Sequence, residues 1–72
     1  MWKPKDEEIV FSIRATKDFS FGLTKLNWKE NDRILQKAFE RGIIFKYADE
    51  ALGLCRKMNY VIDNFKNSEN GK

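Results

Sequence analysis

The spacing of the apolar residues changes partway along this chain, and that change restricts the possible folds more than any other feature. Over residues 8–16 the apolar residues of one set fall at every second position: Ile9, Phe11, Ile13 and Ala15. A period of two is typical of a half-buried β-strand. From Ile34 onward the apolar residues recur every three or four positions, as on one face of an α-helix. The sequence therefore predicts strands first and helices second.

Two strands are predicted, over residues 8–16 and 19–26, with a polar break at Lys17 and Asp18 between them. A hairpin is the simplest connection, and no Asn-Gly or Asp-Gly pair marks the type of its turn. Gly22 lies inside the second strand, and the apolar phase shifts after Leu23. We therefore expect a bulge or a strong local twist near Gly22.

Two helices are predicted next, over residues 32–41 and 48–66. Asn31 is favoured as the N-cap of the first helix, and Gly42 is typical of the residue that ends one. The second helix follows from apolar residues at helical spacing: Ala48, Ala51, Leu52, Cys55, Met58, Val61, Ile62 and Phe65. Between the helices, residues 43–45 form either a short third strand or a buried loop.

These elements predict one α+β domain in the order ββαα, with both helices packed on one face of a small antiparallel sheet. Residues 1–7 are expected to form an extended lead-in, and residues 67–72 a frayed tail. A two-stranded sheet is marginally stable alone, and its open edges invite pairing with another strand. A homodimer through a sheet edge is therefore one expected source of added stability.

The composition argues against catalysis. The chain has no histidine and a single cysteine, Cys55, so the commonest general base and the usual zinc ligands are missing. Acidic clusters at residues 6–8 and 49–50 are expected to solvate the start of a strand and to complement a helix dipole, respectively. We assign no catalytic, metal-binding or cofactor-binding residue, and we expect neither enzymatic activity nor a cofactor.

The single cysteine and the absence of an export signal or of a run of about 20 apolar residues predict a cytoplasmic protein with no membrane partner.

A set of short motifs along the chain resembles a loose class of small phage and prophage proteins from Gram-positive bacteria. The matching residues are Trp2, Pro4, Trp28, Asp32, Gly42, Phe45, Asp49, Glu50 and Ala51. The class commonly has asparagine and threonine where this chain has Ile43 and Tyr47. The resemblance implies a bacterial host cell as the setting. Small phage proteins of this size often bind a host protein and alter or block it, including components of bacterial immunity.

Exposed aromatic and basic residues are the candidate contact residues, because Trp, Tyr and Arg carry much of the binding energy at protein interfaces. The candidates for a protein partner are Trp28, Arg33, Lys37, Tyr47 and Tyr60. A basic series at intervals of four is the candidate surface for nucleic acid: Lys25, Lys29, Arg33, Lys37 and Arg41. Binding of a host protein is the first functional hypothesis. Nucleic-acid binding is the second, and a dimeric sponge for a small ligand is the third.

Overall fold

The computed structural model describes the backbone of residues 2–70 and the side chains of residues 2–65. Two antiparallel strands, β1 (Ile9–Ala15) and β2 (Phe21–Asn27), precede two helices, α1 (Arg33–Glu40) and α2 (Ala48–Asn70). This confirms the predicted α+β class and the order ββαα. No helix among the described residues has the length and apolar character needed to cross a membrane.

The observed bounds differ from the predicted ones mainly at the end of the chain. β1, β2 and α1 begin and end within two residues of the predicted positions. Helix α2 continues to Asn70, so residues 67–70 are helical where a frayed tail was expected. The last two residues of that predicted tail, 71 and 72, lie outside the described residues.

The hairpin closes through a three-residue loop. The Thr16 N–H donates to the Ser20 carbonyl (2.8 Å), and the Phe19 N–H donates to the Thr16 carbonyl (3.1 Å). Phe19 takes a left-handed conformation with φ of 64°, as the last residue of such loops usually does. The strands pair one-to-one through Gly22, which lies opposite Arg14, so the bulge expected there is absent.

Residues 43–45 do not form a strand. Phe45 instead makes one isolated antiparallel bridge with Phe11 on the outer edge of β1. Two backbone hydrogen bonds join them, from the Phe11 N–H to the Phe45 carbonyl (2.9 Å) and from the Phe45 N–H to the Phe11 carbonyl (2.8 Å). This bridge fixes the path of the chain from α1 to α2.

The main core cluster consists of Val10, Trp28 and Ile44, and α1 packs against it. The contributing α1 residues are Leu35, Ala38 and Phe39. The rings of Trp28 and Phe39 meet edge to face, with centroids 5.8 Å apart. Val10 of β1, Ile44 from the segment between the helices and Phe39 of α1 all pack around Trp28. This side chain therefore joins elements that are distant in sequence.

The most deeply buried residues of β1 are Val10 and Ser12, which lie on the face opposite the apolar series predicted for this strand. Ile9, a member of that series, is 45% exposed. Trp28 and Ile44 cover the Val10 side, which explains the difference. Ser12 is tolerated there because its hydroxyl donates to the Ile43 carbonyl at 2.6 Å, which satisfies its buried polar group.

Helix α1 is capped at both ends. Its N-cap is Asp32, not the predicted Asn31: the Asp32 carboxylate accepts the N–H groups of Ile34 (2.9 Å) and Leu35 (3.1 Å). At the other end the Ile43 N–H reaches back to the Ala38 carbonyl (3.0 Å), and Gly42 has φ of 80°. This is a Schellman ending, in which glycine avoids the strain of the left-handed conformation.

Helix α2 packs along both strands with its first half. Ala51 and Cys55 are buried, and the Asn59 side chain hydrogen-bonds the backbone of Phe21 at the start of β2. Beyond Asn59 every side chain from Tyr60 to Phe65 is exposed. The helix therefore projects past the domain, which accounts for the elongated shape of 49 × 21 × 21 Å.

Candidate interaction surfaces

Trp28 cannot act as the surface anchor that the sequence suggested. Its side chain is 1% exposed and belongs to the core cluster with Val10 and Ile44. The indole Nε1–H is also buried and has no hydrogen-bond partner among the described residues. The sequence around Trp28 does not show whether its side chain is buried, because the burial depends on contacts with α1 and with Ile44.

The outer face of α1 carries three exposed side chains next to one another: Arg33, Ile34 and Lys37. Ile34 is 79% exposed, although its spacing suggested a buried position together with Leu35. An eight-residue helix buries only a narrow stripe here, and Leu35, Ala38 and Phe39 already fill it. Ile34 is thus a candidate contact residue that the sequence pattern assigned to the core.

The two tyrosines among the predicted contact residues are both exposed. Tyr47 lies between α1 and α2, and the Lys46 ammonium lies 5.5 Å from the centre of its ring, within the range of a cation–π contact. Tyr60 lies on the projecting part of α2. The structure therefore leaves Arg33, Lys37, Tyr47 and Tyr60 accessible to a partner, and removes only Trp28 from the predicted set.

The basic residues of the predicted nucleic-acid surface are all exposed, and they are spread over several elements: Lys25, Lys29, Arg33, Lys37 and Arg41. Lys29 is not free, because it forms an ion pair with Glu7. The hydrogen bond to the Glu7 carboxylate raises the pKa of the Lys29 ammonium. Glu30 and Glu40 add negative charge in the same part of the chain. Of the four remaining cations, Arg33 and Lys37 lie on α1, Arg41 directly follows it, and Lys25 lies on β2.

The acidic residues near the start of the chain have structural partners. Asp6 accepts the Glu30 N–H (3.1 Å), Glu8 accepts the Lys5 N–H (2.8 Å), and Glu7 pairs with Lys29. The contacts of Asp6 and Glu7 join the lead-in to the segment after β2. Among the described residues no group of three or more potential ligands from His, Cys, Asp and Glu is placed to hold a metal ion.

A concavity of about 530 Å³ lies beside the core tryptophan. Its lining residues are Lys3, Trp28, Glu30, Asn31, Gln36, Phe39 and Glu40. The volume falls in the range of small-ligand sites, but such sites are usually lined mainly by apolar side chains with few polar groups. This lining is predominantly charged and amide-bearing, so it does not have the usual character of a closed ligand pocket.

The projecting part of α2 carries the most concentrated exposed apolar surface. We define the α2 strip as Val61, Ile62 and Phe65; Val61 is 64% and Phe65 is 69% exposed. The strip continues into a shallow groove of about 290 Å³, which Phe21 and Met58 also line. The sequence pattern placed these residues on the buried face of the helix. The pattern did not identify these residues as exposed because they lie on the part of α2 that extends past the end of the sheet.

A scan against protein-family models, a search of curated proteins and a search of solved structures found no match to this chain. Function is therefore inferred from the chain's own side chains and contacts.

Proposed function

We propose that this chain is a small, non-enzymatic accessory protein of the phage type that its sequence resembles, and that it binds a host protein in the bacterial cytoplasm. One observation carries the binding role: among the described residues, large apolar side chains are exposed more often than they are buried. The exposed ones include Phe19, Ile34, Tyr47, Tyr60, Val61 and Phe65, against only Val10, Trp28 and Ile44 in the main core cluster. The exposed residues of α2 lie next to one another, and apolar surface concentrated in this way marks association sites.

The contact with the host protein is assigned to the outer face of α1. Arg33 and Lys37 lie side by side there with Ile34 next to them, and arginine beside an exposed apolar residue is typical of an interface contact. The opposite face of α1 is fixed to the core by Leu35 and Phe39, and both helix ends are capped. A surface held rigid in this way loses little conformational entropy on binding. Such binding would block the host protein by covering the surface that α1 contacts.

A pull-down from the lysate of a Gram-positive bacterium, with and without nuclease, tests this assignment. The tagged wild type should retain one dominant nuclease-resistant protein, and Ile34→Asp should lose it. Ile34 is the second residue of α1, where a carboxylate is favourable for the helix, so the variant should fold. Asn31→Asp adds the same charge at a neighbouring exposed position whose side chain makes none of the described hydrogen bonds, and it should keep the partner.

Retention of the same protein by Ile34→Asp would contradict the assignment to α1. If Ile34→Asp loses the partner, the isolated partner should be titrated with the purified wild type and with each variant. The affinity for Ile34→Asp should be the one that falls.

Nucleic acid is the second candidate partner, because all five residues of the predicted basic series are exposed. This function predicts binding that falls steeply with salt, since counterions are released when phosphates are neutralised. Reversing the charges at Arg33 and Lys37 should abolish it, whereas reversing Lys3 and Lys17, which are also exposed, changes net charge equally and should not. Capture of only nuclease-sensitive proteins in the pull-down would favour this candidate over a protein partner.

A further inference from the structure

The projecting half of α2 lacks the packing that a helix of its length requires. The side chains of residues 60–65 are all exposed, although Ile62 only to 39%, and the helix continues to Asn70. A helical segment of about ten residues is marginal in water, because its hydrogen bonds barely offset the cost of nucleation and fixed dihedrals. Most helices are stabilised by packing of an apolar face. A partner for the α2 strip would supply that packing.

We propose that a second copy of this chain covers the α2 strip, so that two α2 helices pack antiparallel across a two-fold axis. The helix itself carries the required spacing: Leu54, Met58, Val61 and Phe65 follow one another at steps of four, three and four residues. Alternating steps of three and four form the seam by which two helices interdigitate. The exposure of these residues rises toward the end of the helix, since Leu54 and Met58 are half-buried and Val61 and Phe65 are exposed.

The seam is complementary to itself when the axis passes near residue 63. Val61 of one copy then lies against Phe65 of the other, and the same contact is made twice. Ile62 meets its own copy on one flank of the seam, and Asn64 meets its own copy on the other. An apolar pair and an amide pair are both favourable, so this register brings no like charges together.

The groove beside Phe21 adds a seat for the aromatic ring. It is lined by Phe21, Met58, Val61 and Ile62, with Lys57 at its border, and its volume is about 290 Å³. A phenylalanine ring fits within that volume. Phe65 of the second copy reaches this region in the same register, since it lies opposite Val61. The groove of each copy is thereby filled by the other.

The area available sets the strength of the dimer. Phe65, Val61, Ile62 and Met58 together offer roughly 400 Å² per copy, about 800 Å² in all, which is at the low end of the sizes of protein interfaces. A dimer of this size should form in the micromolar range rather than being obligate. It would also present two α1 faces, so that one dimer could engage two host partners.

Pairing through the sheet edge is a less favourable route to the same dimer. On the free edge of β2, both backbone groups of Phe21 already bond to the Asn59 side chain. Only positions 23–27 of that edge remain for pairing with another strand. Phe11 bonds outward to Phe45, and by the strand register Leu23, Lys25 and Asn27 present their backbone groups outward on β2. A symmetric pair using these three positions is centred on Lys25 and sets two lysines directly opposite each other, which is destabilising.

Sedimentation equilibrium of the purified chain over a range from about 1 to 500 µM tests the proposal. The wild type should shift from monomer to dimer within this range, and Phe65→Ser should raise the dissociation constant roughly a hundredfold or more, because each dimer loses two buried rings. Tyr60→Ser is the matched control: Tyr60 is an aromatic residue on the same projecting segment but lies off the seam, so its loss should leave the constant within about threefold.

Circular dichroism of each variant separates loss of association from loss of folding. A wild type that stays monomeric throughout the range overturns the proposal. So does a dimer that Phe65→Ser leaves intact, or one that Tyr60→Ser weakens as much as Phe65→Ser does. None of these measurements requires the host protein, so failure of the dimer and failure of the proposed host contact are distinguishable.

Discussion

Replacing Asn59 with alanine should destabilise the domain although the residue is a poor helix former. The Asn59 amide oxygen accepts the Phe21 N–H at 2.7 Å, and its NH₂ group donates to the Phe21 carbonyl at 3.0 Å. The side chain thus acts as a one-residue strand partner that joins α2 to the free edge of β2. In the alanine variant both backbone groups of Phe21 lose their partner in a partly buried site.

The expected magnitude follows from two opposing effects. Two lost hydrogen bonds, with their backbone groups left unpaired, cost about 2–3 kcal/mol together. Alanine recovers roughly 0.5–0.7 kcal/mol through its higher helix propensity. The net loss is about 1.5–2.5 kcal/mol, which lowers the thermal midpoint of a domain of this size by roughly 6–20 °C.

Asn64→Ala is the control, since Asn64 is exposed on the same helix and makes none of the described hydrogen bonds. It gains the same propensity without losing a contact to β2, so it should be neutral or slightly stabilising in the monomer. Urea unfolding followed by tryptophan fluorescence measures both variants, and buried Trp28 is a suitable reporter. Equal stability of Asn59→Ala and Asn64→Ala at concentrations that keep the chain monomeric would refute the role given to Asn59.

Three further changes test separate parts of the structure. Trp28→Ala should lower the free energy of unfolding by about 3–5 kcal/mol and leave little folded protein at 25 °C by circular dichroism. Trp28→Phe should lower it much less, because phenylalanine keeps a buried ring and lacks the buried N–H donor that has no partner. Hydrogen bonds from the Thr16 and Ser20 hydroxyls lower the pKa of Asp18. Its stabilising contribution should therefore be complete above about pH 4 and be lost as the pH falls through the lowered value. The difference in thermal midpoint between the wild type and Asp18→Asn should shrink over that range, and a difference that does not change with pH would contradict the role of the Asp18 carboxylate. Phe19→Gly should raise the thermal midpoint by a few degrees, since φ of 64° strains a phenylalanine and not a glycine. The ring is 88% exposed, so its loss should cost little packing. An unchanged or lower midpoint would contradict this reasoning.

The order of the elements could be predicted because its signals are local. Alternation marked β1, helical spacing marked α2, and Gly42 marked the end of α1. The cap of α1 was misplaced by one residue, since Asn31 and Asp32 are both good caps in sequence. Only the position of the carboxylate relative to the N–H groups of Ile34 and Leu35 decides between them.

The burial of individual side chains could not be predicted, because it depends on contacts between distant parts of the chain. Val10 falls on the polar phase of the β1 alternation and is fully buried, since Trp28 and Ile44 come to cover it. The same contacts remove Trp28 from the surface. Ile34 is the opposite case, since the pattern predicts burial and the side chain is exposed. The residue is helical as predicted, but Leu35, Ala38 and Phe39 already occupy the narrow face of α1 that packs on the core.

The lengths of the sheet and of α2 explain why this domain exposes so much apolar surface. The strands have seven residues each, about 24 Å, whereas the 23 residues of α2 extend for about 34 Å. Asn59 bonds to Phe21, the first residue of β2, so the part of the helix after Asn59 extends past the end of the sheet and keeps only the edge contact of Ile62 and Val61 with the groove beside Phe21. The surplus of helix over sheet therefore creates the α2 strip. Shortening α2 would remove that strip without disturbing the core cluster, so a shortened chain should stay folded and monomeric if the proposed dimer uses the strip.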